Sequence, residues 1–87
     1  TKDYIDYLVK VQRYEDAKFK AQNALKIFIN NYYFENILFL CGCKLDFNEY
    51  KAKELLKLAE KLEKNSSFMY YDERKILIEK LENSKRG

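Results

Sequence analysis

Along the first dozen residues, Tyr4, Tyr7, Leu8 and Val11 fall at i, i+3, i+4 and i+7, while Lys2, Asp3, Asp6 and Lys10 lie outside that stripe. One apolar face on a 3.6-residue period predicts an amphipathic first helix over about 2–12. The spacing returns at Ala17, Ala21, Ala24, Leu25 and Phe28. Glu15 and Asp16 precede it, and their charge suits the positive end of a helix dipole, so a second helix is expected over about 15–29. Asn30 and Asn31 tolerate left-handed backbone and read as the turn that closes it. Phe34, Ile37, Leu38, Cys41 and Leu45 make a third stripe, but Phe39, Leu40 and Cys43 render other faces apolar too, and such a helix is expected to be sandwiched. A polar turn around Asp46 to Glu49 leads to a fourth helix, with Ala52, Leu55, Leu56, Ala59 and Leu62 inside and Lys51, Lys53, Lys57, Lys61 and Lys64 outside. Asn65, Ser66 and Ser67 interrupt it and offer N-cap oxygens to a fifth helix over about 67–83. That helix is expected to bury Tyr70, Leu77 and Leu81, with Tyr71 and Ile78 alongside, and the tail 84–87 is expected to fray.

Five short helices joined by a few residues each must lie as antiparallel neighbours, which predicts an all-α domain: a compact bundle or a stack of helical hairpins. The absence of proline and the presence of only two glycines fit that pattern. The alanines narrow it, because a helix whose buried stripe is small lets a second helix approach closely. Aligning RYEDAKFKAQNALKI with NEYKAKELLKLAEKL superposes Ala17 on Ala52 and Ala24 on Ala59, with Tyr14 near Tyr50. The offset is about 35 residues, close to the tetratricopeptide period.

The stretch KVQRYEDAKFKAQNALKIFINN resembles the second half of a tetratricopeptide repeat, with Tyr14, Ala17 and Ala24 at signature positions and two asparagines at the closing turn. Gln12 stands where the turn glycine is usual, the proline near the end is missing, and Gly42 sits late for the glycine of the second copy. The resemblance implies about two and a half stacked hairpins over residues 1–87, a single domain belonging to a longer chain, with a scaffold or adaptor function. The pattern YxDAxFxA, followed by xLFLxxC and YKAxxLLK, is similar to the N-terminal repeats of anaphase-promoting-complex scaffold subunits. An unrelated helical bundle stays open. So does a three-helix domain of the microtubule-interacting-and-trafficking type, which shares the YEDA-like opening but wants fewer, longer helices.

Composition bears mainly on chemistry. An 87-residue chain with 47% apolar and 36% charged residues can bury one core at most, and its apolar runs are too short to span a membrane. The N-terminal segment carries acids and no small-residue cleavage pattern, so no secretory or transit signal is readable. Cys41 and Cys43 bracket one residue, an awkward geometry for a mutual disulfide, and are expected to be reduced, which points to the cytoplasm or nucleus. With no histidine there is no ready base for a thiol nucleophile and no four-ligand zinc set, and no glycine-rich phosphate loop occurs. Adjacent acids, Glu15 with Asp16 and Asp72 with Glu73, point about 100° apart on a helix and do not converge on one atom. Neither catalysis nor a cofactor is expected.

Binding is the remaining class. The net charge of +3 comes from interleaved signs, so the ridge Lys53, Lys57, Lys61 and Lys64 reads as a solvated face, eased by Glu49 with Lys53 and Glu60 with Lys64, rather than as a nucleic-acid footprint. The carboxylate clamp by which some tetratricopeptide co-chaperones hold acidic chaperone tails is not expected. Lys2 and Asn36 lie near its required places, but Asp6 replaces an asparagine, and Phe68 and Asp72 stand near the places of its basic pair. Like charges at 4 Å repel by about 1 kcal/mol even in water. Two aromatic clusters, Tyr32, Tyr33 and Phe34 and then Phe68, Tyr70 and Tyr71, exceed what one small core can hold. They are expected to meet a protein partner, a larger complex or a second copy of the chain, or else to pack hairpin against hairpin within the stack.

Overall fold

The computed structural model describes residues 1–86 and folds them into five helices: α1 (Lys2–Lys10), α2 (Tyr14–Ile27), α3 (Tyr32–Lys44), α4 (Glu49–Lys64) and α5 (Tyr71–Arg86). The protein is all-α, with no strand among the described residues. Each helix packs against the next, α5 returns to α3, and side chains of α1 reach α3 as well, so α3 touches all four others. Two cores result. In one, Ile5 and Leu8 of α1 and Ala17, Ala21 and Ala24 of α2 meet Phe34, Ile37 and Cys41 of α3. In the other, Phe39 of α3 meets Ala52, Ala59 and Leu62 of α4, Phe68, and Leu77 and Leu81 of α5. The helix that is apolar on several sides is therefore sandwiched, and the alanines sit at helix contacts.

The turns follow from backbone chemistry. After α1, the Gln12 amide donates to the Val9 carbonyl and the Arg13 amide to that of Leu8, with Gln12 at φ 63°. After α4, Ser66 donates to Glu63 and Ser67 to Leu62, with Ser66 at φ 57°. These are two copies of one helix-ending motif, in which a left-handed residue satisfies the last carbonyls; glycine usually takes that place. Asn30 turns the chain in the same conformation after α2, and its neighbour Asn31 caps α3 by accepting from the Phe34 amide at 3.2 Å. Asn48 caps α4 in the same way, accepting from the Lys51 amide at 3.0 Å.

Three expectations change. In α1 the buried positions are Ile5 and Leu8, while Tyr4, Tyr7 and Val11 are 50%, 55% and 43% exposed. Two stripes share Leu8 on this short helix, and packing against the alanines of α2 selects the aliphatic one. The fifth helix starts at Tyr71 instead of near 67, because Ser67 to Met69 bond to a buried side chain of α3, described below; no serine caps it, and the Ser67 hydroxyl donates to the Asn65 carbonyl instead. The tail expected to fray is helical through Arg86, and Gly87 lies outside the described residues.

Candidate protein-docking surface

The two aromatic clusters divide between core and surface. Phe34 and Phe68, expected to meet a partner, are only 2% and 6% exposed and belong to the two cores. Phe34 lies edge-on to Tyr33 at 5.3 Å between ring centroids and stacks on Phe28 at 6.2 Å. Phe68 meets Phe39 edge-on at 5.0 Å and Tyr71 at 4.9 Å. Both are occupied in holding hairpins together and present no face to a partner. The reason is position: Phe34 sits on the inner face of α3, and Phe68 leaves the end of α4 pointing back at Phe39.

Asn36 joins the clusters. It is 1% exposed, and its side-chain amide donates to the carbonyls of Tyr32 and Ser67, each at 2.8 Å, while its oxygen accepts from the Met69 amide at 2.9 Å. One side chain thus satisfies the backbone of the strap between α4 and α5 and lays it beside the start of α3. The Tyr33 hydroxyl donates to the Asp6 carboxylate and lies near the Lys2 carbonyl at 3.2 Å, and the Lys2 ammonium sits 5.2 Å from the Tyr33 ring. Burial, and next the bond to Asp6, push the Tyr33 phenol well above its ordinary value; burial chiefly, then Glu73, raises Tyr70. Of the sequence-expected contact residues, Tyr32 and Tyr71 remain exposed, and Tyr33 and Tyr70 are half-buried. Arg74 lies 5.0 Å from the rings of both Phe68 and Tyr71 and bonds Glu63 twice, at 2.9 and 3.3 Å, which lowers the Glu63 carboxyl and raises Arg74.

A second surface lies on the other side of α3. Helices α2 and α4 both pack on α3 without packing on each other. The groove between them holds about 390 Å³, floored by Leu38, Gly42 and Leu45 and walled by Leu55 and Leu58. Glu15 and Lys18 stand on one lip, Lys51 and Glu54 on the other. Gly42 sets the spacing, since a Cβ there would come within 2.7 Å of Leu55. Leu38 and Leu45 lie on the stripe read from the sequence, and Gly42 falls between them at spacings of four and then three residues. That was the available signal for the groove, obscured by the other apolar faces.

The lysine ridge is internally paired. Lys53 meets Glu49 at 3.5 Å, Lys57 meets Glu54 at 3.7 Å, and Lys64 meets Glu60 at 3.3 Å. Lys61 instead crosses to Glu35 of α3 at 2.9 Å. Glu35 is buried, and its other oxygen has no hydrogen-bond partner among the described residues. Burial lifts the thiols of Cys41 and Cys43 to about 11 each, so both are protonated near neutrality. Among the described residues, no group of three or more potential ligands gathers to hold a metal, and no helix is long and apolar enough to cross a membrane. No family model, curated protein or solved structure matches the chain.

Proposed function

We propose that this chain is a tetratricopeptide-like scaffold or adaptor module that performs no chemistry and holds a protein partner. The observation that carries the reading is the open groove between α2 and α4, apolar along its floor and charged along both lips. Its volume falls within the roughly 300–1,000 Å³ typical of binding clefts. The occupant it suits is one apolar-faced helix of another protein, laid in by anchors at i, i+3 or i+4, and i+7. Lips bearing both signs favour a partner of mixed charge over a polyanion, and the ridge lysines, each with an acidic partner, add little attraction for nucleic acid. The alanine contacts support the hairpin reading, and with it the expectation that the partner is a neighbouring subunit in a larger assembly. Protonated, free thiols suit the cytoplasm or nucleus.

A photo-crosslinking residue placed at Gln22, on the α2 lip, should capture a protein in cells of the source organism, while the same residue at Glu79 on α5 should not. Leu58→Glu should abolish the Gln22 adduct while circular dichroism shows the helices intact. Equal capture at both positions, or none at Gln22, would remove the groove from consideration. Binding to nucleic acid that falls steeply with salt would favour a basic surface instead.

A further inference from the structure

We propose that the outer face of α1 is a self-recognition surface, pairing two copies of this chain about a twofold axis with their α1 helices antiparallel. Tyr4, Tyr7 and Val11 recur at i, i+3 and i+7 on the flank of α1 beside Leu8, about a quarter-turn from its buried side, and each stays about half exposed. The face continues onto α2, where the Lys20 ammonium sits 5.7 Å from the Tyr4 ring and Ile27, two turns further along, is 76% exposed.

Charge order on this face selects the occupant. Asp3 stands near the start of α1 and Lys10 at its end, both exposed, and neither has an ion-pair partner within the chain among the described residues. Seven residues separate them, about 10.5 Å along the helix. Antiparallel α1 helices centred near Tyr7 bring Asp3 of each copy within reach of Lys10 of the other, twice by symmetry. Tyr4 then faces Val11, and the two Tyr7 rings meet near the axis. A parallel arrangement would oppose Asp3 to Asp3 and Lys10 to Lys10. Asp3 and Lys10 are therefore complementary across the axis in the antiparallel orientation only, as a twofold interface requires, with the Asp6 carboxylate of each copy, bonded to Tyr33, beside the axis.

The area sets the strength. A large aromatic side chain buries about 150–250 Å² when fully covered, so the exposed halves of Tyr4 and Tyr7 supply roughly 200 Å² per copy. With Val11, Ile27 and the charged rim, the total for both copies reaches the neighbourhood of 1,200 Å², the low end for specific interfaces. A reversible dimer follows, on a face that does not line the α2 and α4 groove, so the two surfaces can fail separately.

Sedimentation equilibrium on the chain from micromolar to millimolar concentration should show a monomer–dimer equilibrium without any added partner. Asp3→Lys or Lys10→Asp alone should weaken it by about tenfold, because each change sets like charges across the axis twice. Both changes together should restore it, and Tyr7→Ala should abolish it with helix content unchanged. A chain that stays monomeric throughout overturns the proposal and leaves the face to a different protein. A dimer indifferent to the charge changes overturns it equally, by placing self-association elsewhere.

Discussion

Replacing Asn36 by leucine tests whether one buried amide fixes where α5 begins. Leucine shares asparagine's branching and side-chain heavy-atom count, so the change opens no cavity, and its bulkier methyl groups add packing strain to the polar loss. Three hydrogen bonds disappear, at 2.8, 2.8 and 2.9 Å. The Tyr32 carbonyl keeps its helical acceptor role, but the Ser67 carbonyl and the Met69 amide lose their side-chain partner. A net hydrogen bond contributes about 0.5–1.5 kcal/mol, and a backbone group left buried and unmet costs about 1–3 kcal/mol. The strap is only partly buried and can turn one group toward water, which brings the expected loss to about 2–4 kcal/mol. At roughly 0.05–0.15 kcal/mol per residue, a domain of this length holds only about 4–13 kcal/mol in total.

Urea denaturation followed by circular dichroism should show that loss, and the melting temperature should fall by about 8–32 °C, given roughly 4–8 °C per kcal/mol at this size. Hydrogen exchange supplies the local readout: the Met69 amide, protected in the parent chain, should exchange at the rate of strap opening in the variant. Asn65→Ala serves as the control, since Asn65 is exposed and its side chain bonds only the Lys61 carbonyl, so its loss should stay within about 0.5 kcal/mol. If Asn36→Leu matches the parent chain in stability and the Met69 amide stays slow, the strap is held by Phe68 alone and the reasoning is wrong.

Ala21→Leu should destabilise the chain by about 1–3 kcal/mol or more in the same urea assay, because a fully buried alanine between helices leaves no room for added methylenes. Tyr33 has a raised folded-state pKa, so its contribution is complete below its unfolded value of about 10 and is lost as pH climbs above it, where only the unfolded chain releases the proton. Thermal melts should therefore weaken above about pH 10, beyond the decline that starts near pH 9 as the unfolded chain releases the thiol protons of Cys41 and Cys43, held to about 11 in the fold, and Tyr33→Phe should remove only the phenol's share while lowering stability at neutral pH. Lys61→Ala should cost about 1–2 kcal/mol by stranding the buried Glu35 carboxylate, discounted because Lys61 itself is half exposed, whereas Lys57→Ala should fall within about 0.5 kcal/mol. Equal losses at the two lysines would show that burial of Glu35 does not matter.

The helices and their small contacts were legible because each leaves a periodic mark. Ala17, Ala21 and Ala24 repeat on one face of α2, and Ala52 and Ala59 do so on α4, and a small residue between apolar neighbours has few roles besides close packing. The asparagines at Asn30, Asn31 and Asn48 were readable for a different reason: their short amide side chains favour caps and left-handed turns wherever helices end. The end of α1 was obscured because Gln12 holds a conformation usually given to glycine, supported by two backbone bonds that no composition rule displays.

What stayed hidden depends on which neighbour a side chain finds, and a local pattern cannot carry that. On α1, the stripes through Tyr4 and through Ile5 share Leu8, and only contact with the alanines of α2 decides between them. On α3, Asn36 resembles a surface residue until a segment more than thirty positions along the chain supplies its partners. Two members of the aromatic clusters were hidden in the same way. Phe34 and Phe68 look like their neighbours in sequence, yet a helix turns about 100° per residue, and the strap reverses direction within a few positions, so adjacent rings end in opposite environments. Surface aromatic area was thus overcounted at the clusters, through Phe34 and Phe68, and undercounted on α1, at Tyr4 and Tyr7. The exposed face that the fold leaves there is the one whose charge order matches itself, a property visible in the residues Asp3 to Lys10 only once the buried side of that helix is known.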